Sequence, residues 1–476
     1  MNTAIVWFRS DLRLADNRAL SKALHMAERV LPLYIHAPGE DDGWAMGSAS
    51  RWWLHHSLSA LDVSVRRLGS RLIIRHGPSL EVLRQLILET GAQYIVWNRV
   101  YEPPAIARDK AIKESLRADG LLVESFNSAL LYEPWEVSRS NGEPYKVFTP
   151  YWKAVQNRGL EHSILPLPPS LPPVSTGVAS LAVESLDLLP KIAWDGGFRE
   201  TWQPGEEGAL SQLQEFVDSA LGGYAVERDR PDHAGTSRLA PHLHFGELGP
   251  RQIVWAIRTR LASGGQSGAE SFVRELGWRE FAHHLLFHFP HTTESPLNER
   301  FVSFPWSEPR AEPMQAWQRG KTGIPLVDAG LRELWHSGWM HNRVRMVVAS
   351  FLVKNLRIHW LEGARWFWDT LLDADLANNT LGWQWVAGCG ADAAPYFRIF
   401  NPVLQGERFD PDGDYVRRWV PELARLPARF IHQPWQAPAA ILKSCGVTLG
   451  LDYPYPIVDL KASREQALEA FKHLQC

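Results

Sequence analysis

The chain has 476 residues, 45% of them hydrophobic and 22% charged, with a formal net charge of -3. That length exceeds what one hydrophobic core usually serves and calls for two or three domains, while the near-neutral charge confines any nucleic-acid surface to a local patch. The three cysteines, Cys389, Cys445 and Cys476, are odd in number and contain no CxxC pair, which argues against a disulfide framework or a thiolate metal site and fits a reducing compartment.

The opening MNTAIVWFRSDLRLADN places Arg9, Asp11 and Arg13 behind a five-residue apolar run, too short and too charged for a signal peptide. No run in the chain approaches a membrane span. Over the first 135 residues the β-rich runs AIVWF, VLPLYIH, RLIIRHG, QYIVWN and LLVESF alternate with segments of helical period, which predicts a parallel, doubly wound α/β domain. Leu165 to Val174 reads LPLPPSLPPV, with five prolines in ten residues, and predicts an extended linker segment. Beyond about residue 205 β-rich runs nearly vanish, and Ala269 to Phe287 and Pro325 to Leu361 carry apolar residues at three- and four-residue spacing. The expected organisation is an α/β domain over 1–135, a linker over 136–205 and an all-α domain over 206–476.

Several stretches carry chemistry. GTSRLAPHLHFGELGP, Gly235 to Pro250, has the inventory of an anion cradle before a helix, and equally that of an N-cap with Thr236 or Ser237; from this stretch alone the cap is the simpler reading. His336 to Trp360 holds Arg343, Arg345, Lys354 and Arg357 and no acid, while Met346 to Val353 is nearly all apolar. That helix must be largely buried, so its arginines need partners, which Asp373 and Asp375 are placed to supply. Ser271 to His291 gathers His283, His284, His288 and His291, but without HExxH and with Phe and Leu interleaved, so ordinary helix histidines are expected and no metal. There is no nucleophile elbow, no P-loop and no GxGxxG after the first strand. DADLANNTLGWQWVAG, Asp373 to Gly388, packs acids, amides and indoles together in a chain that has 22 tryptophans. Tryptophans in that number serve either a wide aromatic core or stacking and interfaces.

Taken in order, WFRSDLRLADN, GTSRL, GWREF, GWMHNRVRM, DADLANNTLGWQW and DAAPYFRIFNP resemble the photolyase and cryptochrome family over nearly the whole chain. The resemblance implies an α/β antenna domain joined to a helical domain that buries FAD. It assigns Tyr224, Thr236, Ser237, Arg238 and Leu239 to the FAD phosphates and ribose. Arg345 and Asp373 are assigned to the isoalloxazine ring, with Asn342 and Asp375 near it, and Asn379 faces the flavin N5. Trp306, Trp360 and Trp383 match an electron-transfer chain. Trp278 and Trp385 match the pair that packs a flipped-out pyrimidine dimer, Glu275 the carboxyl group that bonds its edge, and Met346 a methionine packed against it. Arg228, Arg279, Arg343 and Arg398 match the DNA-facing rim.

The implied activity is light-driven repair of cyclobutane pyrimidine dimers in UV-damaged DNA by electron transfer from reduced FAD (FADH-), as in a bacterial photolyase of class I or of the plant-cryptochrome-like class III branch. A cryptochrome photoreceptor is the first alternative, and the chain ends soon after the family core without a long tail. A (6-4) photolyase is the second, and Asn342 stands where its second histidine is expected. For the antenna, MGSASRWWLHHSLSAL resembles the folate-binding branch, yet Pro104 and Ala105 replace the expected pterin contacts. A folate held in a shifted pocket, a deazaflavin and an empty antenna site are the alternatives, with methenyltetrahydrofolate expected ahead of a deazaflavin. A cytoplasmic monomer that joins the nucleoid on DNA completes the expectation.

Overall fold

Five short apolar runs near the N-terminus form one parallel sheet: β1 (Thr3–Phe8), β2 (Arg29–His36), β3 (Ile73–His76), β4 (Tyr94–Asn98) and β5 (Leu122–Phe126), in the order β3-β2-β1-β4-β5. This computed structural model describes residues 2–160, 163–261, 266–307, 311–393 and 397–474. Cys476 and part of the DAAPYFRIFNP stretch, Ala394 to Tyr396, lie outside the described residues. Every residue of β1 is buried, as a strand must be when helices cover both faces of its sheet. Those helices are α1 (Arg18–Met26), α2 (Ser48–Arg67), α3 (Ser79–Thr90) and α4 (Pro103–Ala118).

Strand order reverses beside β1, and an open α/β sheet usually binds ligands in the crevice at that point. Here the chain's own side chains occupy it. The Asn98 amide donates to Asp11 at 2.6 Å and to Asn17 at 2.8 Å, while the Arg9 guanidinium pairs with Asp109 and lies 4.6 Å from the Trp7 ring. Arg13, 1% exposed, crosses to the rest of the protein and donates to Ser128 Oγ at 2.7 Å and to the Gly246 carbonyl at 2.8 Å.

The stretch read as linker contains α5 (Phe148–Arg158), and this helix packs on the helical domain. The Pro-rich Leu165–Val174 forms neither helix nor strand, as its missing N–H donors dictate. The helical part follows: α6 (Gly196–Thr201), α7 (Glu206–Glu215), α8 (Tyr224–Glu227), α9 (Ala240–His244), α10 (Pro250–Leu261), α11 (Gln266–His288), α12 (Ala311–Gln318), α13 (Pro325–Ser337), α14 (Asn342–Ser350), α15 (Trp360–Thr370) and α16 (Leu376–Ala387).

The continuous helical spacing of Pro325 to Leu361 is divided between three helices. Gly338 closes α13 in the left-handed region at φ 67°, the His341 ring caps α14, and a π-turn over Phe351–Asn355 leads to Arg357 at φ 53°. Apolar spacing continues across these turns because both sides face one core, so periodicity alone does not show the breaks. Trp317, Trp360 and Trp383 sit in that core, while Trp52 and Trp53 fill the seam below the sheet. Among the described residues no helix is long and apolar enough to cross a membrane.

Helix α5 meets α11 at Gly277, where an added Cβ would stand 2.5 Å from Trp152 Cε3. Gly277→Ala is expected to push Trp152 aside and lower stability by about 1–3 kcal/mol in urea unfolding, with new proteolytic cleavage around α5. Unchanged stability and cleavage would show that α5 is not docked there.

Candidate functional site

One cavity of about 550 Å³ opens among α8, α9, α11, α14, α15 and α16. Its volume and mostly apolar, aromatic lining are those of a site for a large organic ligand. Tyr224, Thr236, Ser237, Arg238 and Leu239 all line it. Gly235 brings this segment against α8, where a Cβ would lie 2.6 Å from the Glu227 carbonyl oxygen. Ser237 Oγ accepts the Leu239 N–H at 3.4 Å, a local turn contact; α9 starts behind Leu239 with no side-chain cap, which corrects the N-cap reading of Thr236 or Ser237, and the stretch faces the cavity instead. Arg238 adopts φ 53°, a conformation that costs about 1 kcal/mol or more and persists only where its surroundings enforce it. Its guanidinium lies 4.8 Å from the Trp339 ring, and among the described residues no carboxylate pairs with it. A guanidinium without a direct carboxylate partner, on one wall with two hydroxyls, suits an anionic group.

Arg345 donates to Asp373 at 2.8 Å and to the Met340 carbonyl at 2.7 Å. Asp375, by contrast, supplies no arginine, which corrects the expectation from sequence. It caps α16 by accepting the Asn378 N–H at 2.8 Å, and its other oxygen lies 3.4 Å from His283 Nε2 and 3.9 Å from His244 Nδ1. Burial opposes the charge on Asp375, but the facing His283 and His244 outweigh it and hold the carboxyl well below its usual range. Reciprocally, Asp375 overcomes the effect of burial on His283 and raises its pKa. Asn342 and Asn379 line the same wall. The Asn379 amide nitrogen donates to the Ala364 carbonyl at 2.9 Å, and its oxygen is the acceptor left for the cavity.

The five indoles take different positions. Trp383 lines the cavity and presses its six-membered ring on Gly363, where a Cβ would stand 2.1 Å from Cη2. Trp360 is 1% exposed and Trp306 half-buried, with the His359 ring 5.5 Å from one and 5.1 Å from the other. Trp278 and Trp385 line the cavity from α11 and α16. Trp278 stacks on Phe148 at 3.8 Å, 8° from parallel, and Trp385 Nε1 donates to the Asp392 carbonyl at 3.2 Å.

Glu275 and Met346 also line the cavity, and Glu275 is ion-paired with Arg228. Of the four rim arginines, Arg228 and Arg279 reach the cavity; Arg343 pairs with Asp229 at 2.8 Å, and Arg398 is exposed beside the Phe400 ring. His244, His283, Trp339 and Asp392 lie inside stretches singled out above but were given no site role there, and Phe148 lies outside them; contacts with partners remote in the chain bring all five to the site. His284 Nδ1 and His288 Nε2 both lie 3.2 Å from the Pro134 carbonyl, and His284 Nε2 accepts the Tyr145 N–H. Both ring nitrogens of His284 are thus engaged, and burial holds its pKa down to about 4.

Residues 4–173 match the family described as DNA photolyase, and residues 272–473 the family described as FAD binding domain of DNA photolyase. The deoxyribodipyrimidine photo-lyase of Agrobacterium fabrum is 49% identical over 468 residues, 98% of this chain and 97% of that protein. Cryptochrome-2 of Arabidopsis thaliana is 41% identical over 98% of this chain and 78% of that protein. The crystal structure of a bacterial class III photolyase from Agrobacterium tumefaciens superposes with a TM-score of 0.96 at 48% identity, covering 100% of this chain and 98% of the other.

Beneath the site, Glu280 accepts the Leu131 N–H at 2.9 Å, and burial pushes its carboxyl up to about 7. A carboxyl raised in the fold is charged at a cost above that pH, and the cost disappears below the unfolded value of 4.5. Glu280→Gln, which keeps the acceptor, is expected to be about 2–3 kcal/mol more stable than the parent near pH 8, with the gap closing towards pH 4.5, as read by urea unfolding. A gap independent of pH contradicts a raised Glu280.

Proposed function

The chain belongs to the DNA photolyase family, and from that premise we propose that it is a deoxyribodipyrimidine photolyase, splitting cyclobutane pyrimidine dimers in UV-damaged DNA under blue light with FAD as cofactor. The observation that carries this reading is a single cavity lined both by the charged wall of Arg345, Asp373 and Asn379 and by the indole pair Trp278 and Trp385. The residues present fit FAD: a guanidinium with hydroxyls at Arg238, Thr236 and Ser237, and flat apolar walls elsewhere. Tyr224 and Leu239 flank the phosphate end, and Asn342 and Asp375 the flavin end. The chemistry supplied by bound, reduced FAD is one-electron donation under light to the dimer, with return of the electron after its ring opens.

The protein's own work is electrostatic and geometric. Arg345 stabilises negative charge on the ring system, and Asp373 orients that guanidinium and balances it when the ring is oxidised. Asn379 offers an acceptor oxygen suited to the N–H of a reduced ring and carries no titratable proton. Trp278 and Trp385 stack an extruded dimer that has lost its own stacking partners. Glu275, held by Arg228, presents a carboxylate to the dimer edge, with Met346 against it. Arg228, Arg279, Arg343 and Arg398 give the nearly neutral protein its local phosphate-facing rim. Trp383, Trp360 and Trp306 lead from the cavity towards the surface as a route for reducing electrons, with the His359 ring beside each of the outer two.

Asn342 favours the cyclobutane dimer over the (6-4) product, because an amide has no proton to give at the position of a second histidine. We read the antenna as a folate. Trp335, 59% exposed, and Trp366 lie 6.2 Å apart and 5° from parallel, offering flat faces for a pterin outside the filled strand-end crevice. A monomer working on DNA in the cytoplasm is the accompanying reading.

Reduced protein is expected to remove thymine dimers from an oligonucleotide in blue light and not in the dark; no repair in light by FAD-loaded protein overturns the assignment. Trp385→Ala should weaken binding of dimer-containing DNA about tenfold while FAD stays bound, as measured by gel-shift titration. Trp306→Phe should slow photoreduction of the flavin at least about tenfold, yet chemically reduced Trp306→Phe should repair at the parent rate.

A further inference from the structure

Trp278 and Trp385 stand on different helices, and a pocket that stacks a base pair needs their faces held at a fixed separation. Asp392 touches the support of both. Its carbonyl accepts the Trp385 Nε1–H at 3.2 Å, and its carboxylate lies near the start of α5, whose first residue is Phe148. Phe148, 1% exposed, stacks on Trp278 at 3.8 Å, and Trp152 continues the parallel array at 6.3 Å and 9°. The Arg274 guanidinium lies 5.3 Å from the Phe148 ring and adds a positive charge beside the Asp392 carboxylate.

Asp392 makes these contacts at φ 51°, in the left-handed region. A non-glycine residue stays there only when its surroundings over-determine it, and such residues cluster at ligand clamps. Aspartate and asparagine tolerate this conformation better than alanine does, because their short polar chains bond locally. An alanine at this position would relax its backbone, shift the carbonyl that anchors Trp385 and remove the carboxylate beside the start of α5.

We propose that Asp392 and Phe148 are positioning residues that lock Trp278 and Trp385 into one register, making the linker helix α5 part of the substrate site. This rests on the reading of the two indoles as walls for the dimer. Neither residue touches the reacting atoms; Asp392 acts through the Trp385 indole and the start of α5, and Phe148 through the face of Trp278 that it covers.

The test compares FAD-loaded Asp392→Ala, Asp392→Asn, Phe148→Leu, Trp278→Ala and Trp385→Ala. The readouts are Kd for thymine-dimer and undamaged oligonucleotides, FAD content and flavin photoreduction. Asp392→Ala and Phe148→Leu are expected to raise Kd for dimer DNA about tenfold, the worth of one lost hydrogen bond or stacking support. FAD content, photoreduction and affinity for undamaged DNA should stay at parent values. Asp392→Asn, which keeps an acceptor and the backbone preference, should remain within about twofold of the parent. Parent-like dimer affinity in Asp392→Ala and Phe148→Leu, with Trp385→Ala weakened, overturns the positioning role alone. Parent-like affinity in both tryptophan variants overturns the dimer reading itself. Should Asp392→Ala fail to fold, Phe148→Leu decides: the same loss of dimer selectivity supports the proposal and parent-like selectivity overturns it.

Discussion

Asp375 is the point at which three walls of the cavity are fastened together. Its carboxylate caps α16 and faces His283 from α11 and His244 from α9, so the helices that carry most of the site share one buried charge. A buried carboxylate without partners costs several kcal/mol; with an N-terminal N–H and two imidazoles around it, the same group becomes a constraint on geometry. From that cap, α16 projects Asn379 and Trp383 one turn apart, and Trp385 to the substrate side.

Charge around the cavity is largely paired among the described residues. Arg345 answers Asp373 and Arg228 answers Glu275, whereas Arg238 rests on an indole without a carboxylate. On the reading proposed above, Arg238 would meet the fixed negative charge of phosphates, and the Arg345–Asp373 pair the negative charge that a reduced flavin gains and loses. Light-driven electron transfer needs little more from the protein than this, together with walls that hold the dimer close.

Much of this was legible in the sequence. The five strands are continuous apolar runs and stand where the alternation places them, because a strand buried on both faces has no other way to be written. The Arg345–Asp373 pair was legible for a related reason: an apolar helix bearing arginines and no acids must find its carboxylates elsewhere. Asp375 misled, since its nearness in sequence to Asp373 says nothing of histidines on two other helices. Phe148 was silent, and Asp392 stood in DAAPYFRIFNP without a role of its own, because stacking and backbone strain between remote segments leave no periodicity. The breaks inside Pro325–Leu361 stayed hidden because Gly338 and His341 act through turn chemistry while the apolar face runs on.

The central claim is that Arg345, Asp373 and Asn379 keep the bound flavin reduced and anionic. The most direct measurement is the absorption spectrum of the fully reduced protein as pH is lowered from about 8 to about 5.5. The account predicts an anionic reduced-flavin spectrum that does not change over this range, and its conversion to the neutral reduced form in the parent protein, at the same pH as in an Arg345→Met variant, would contradict it.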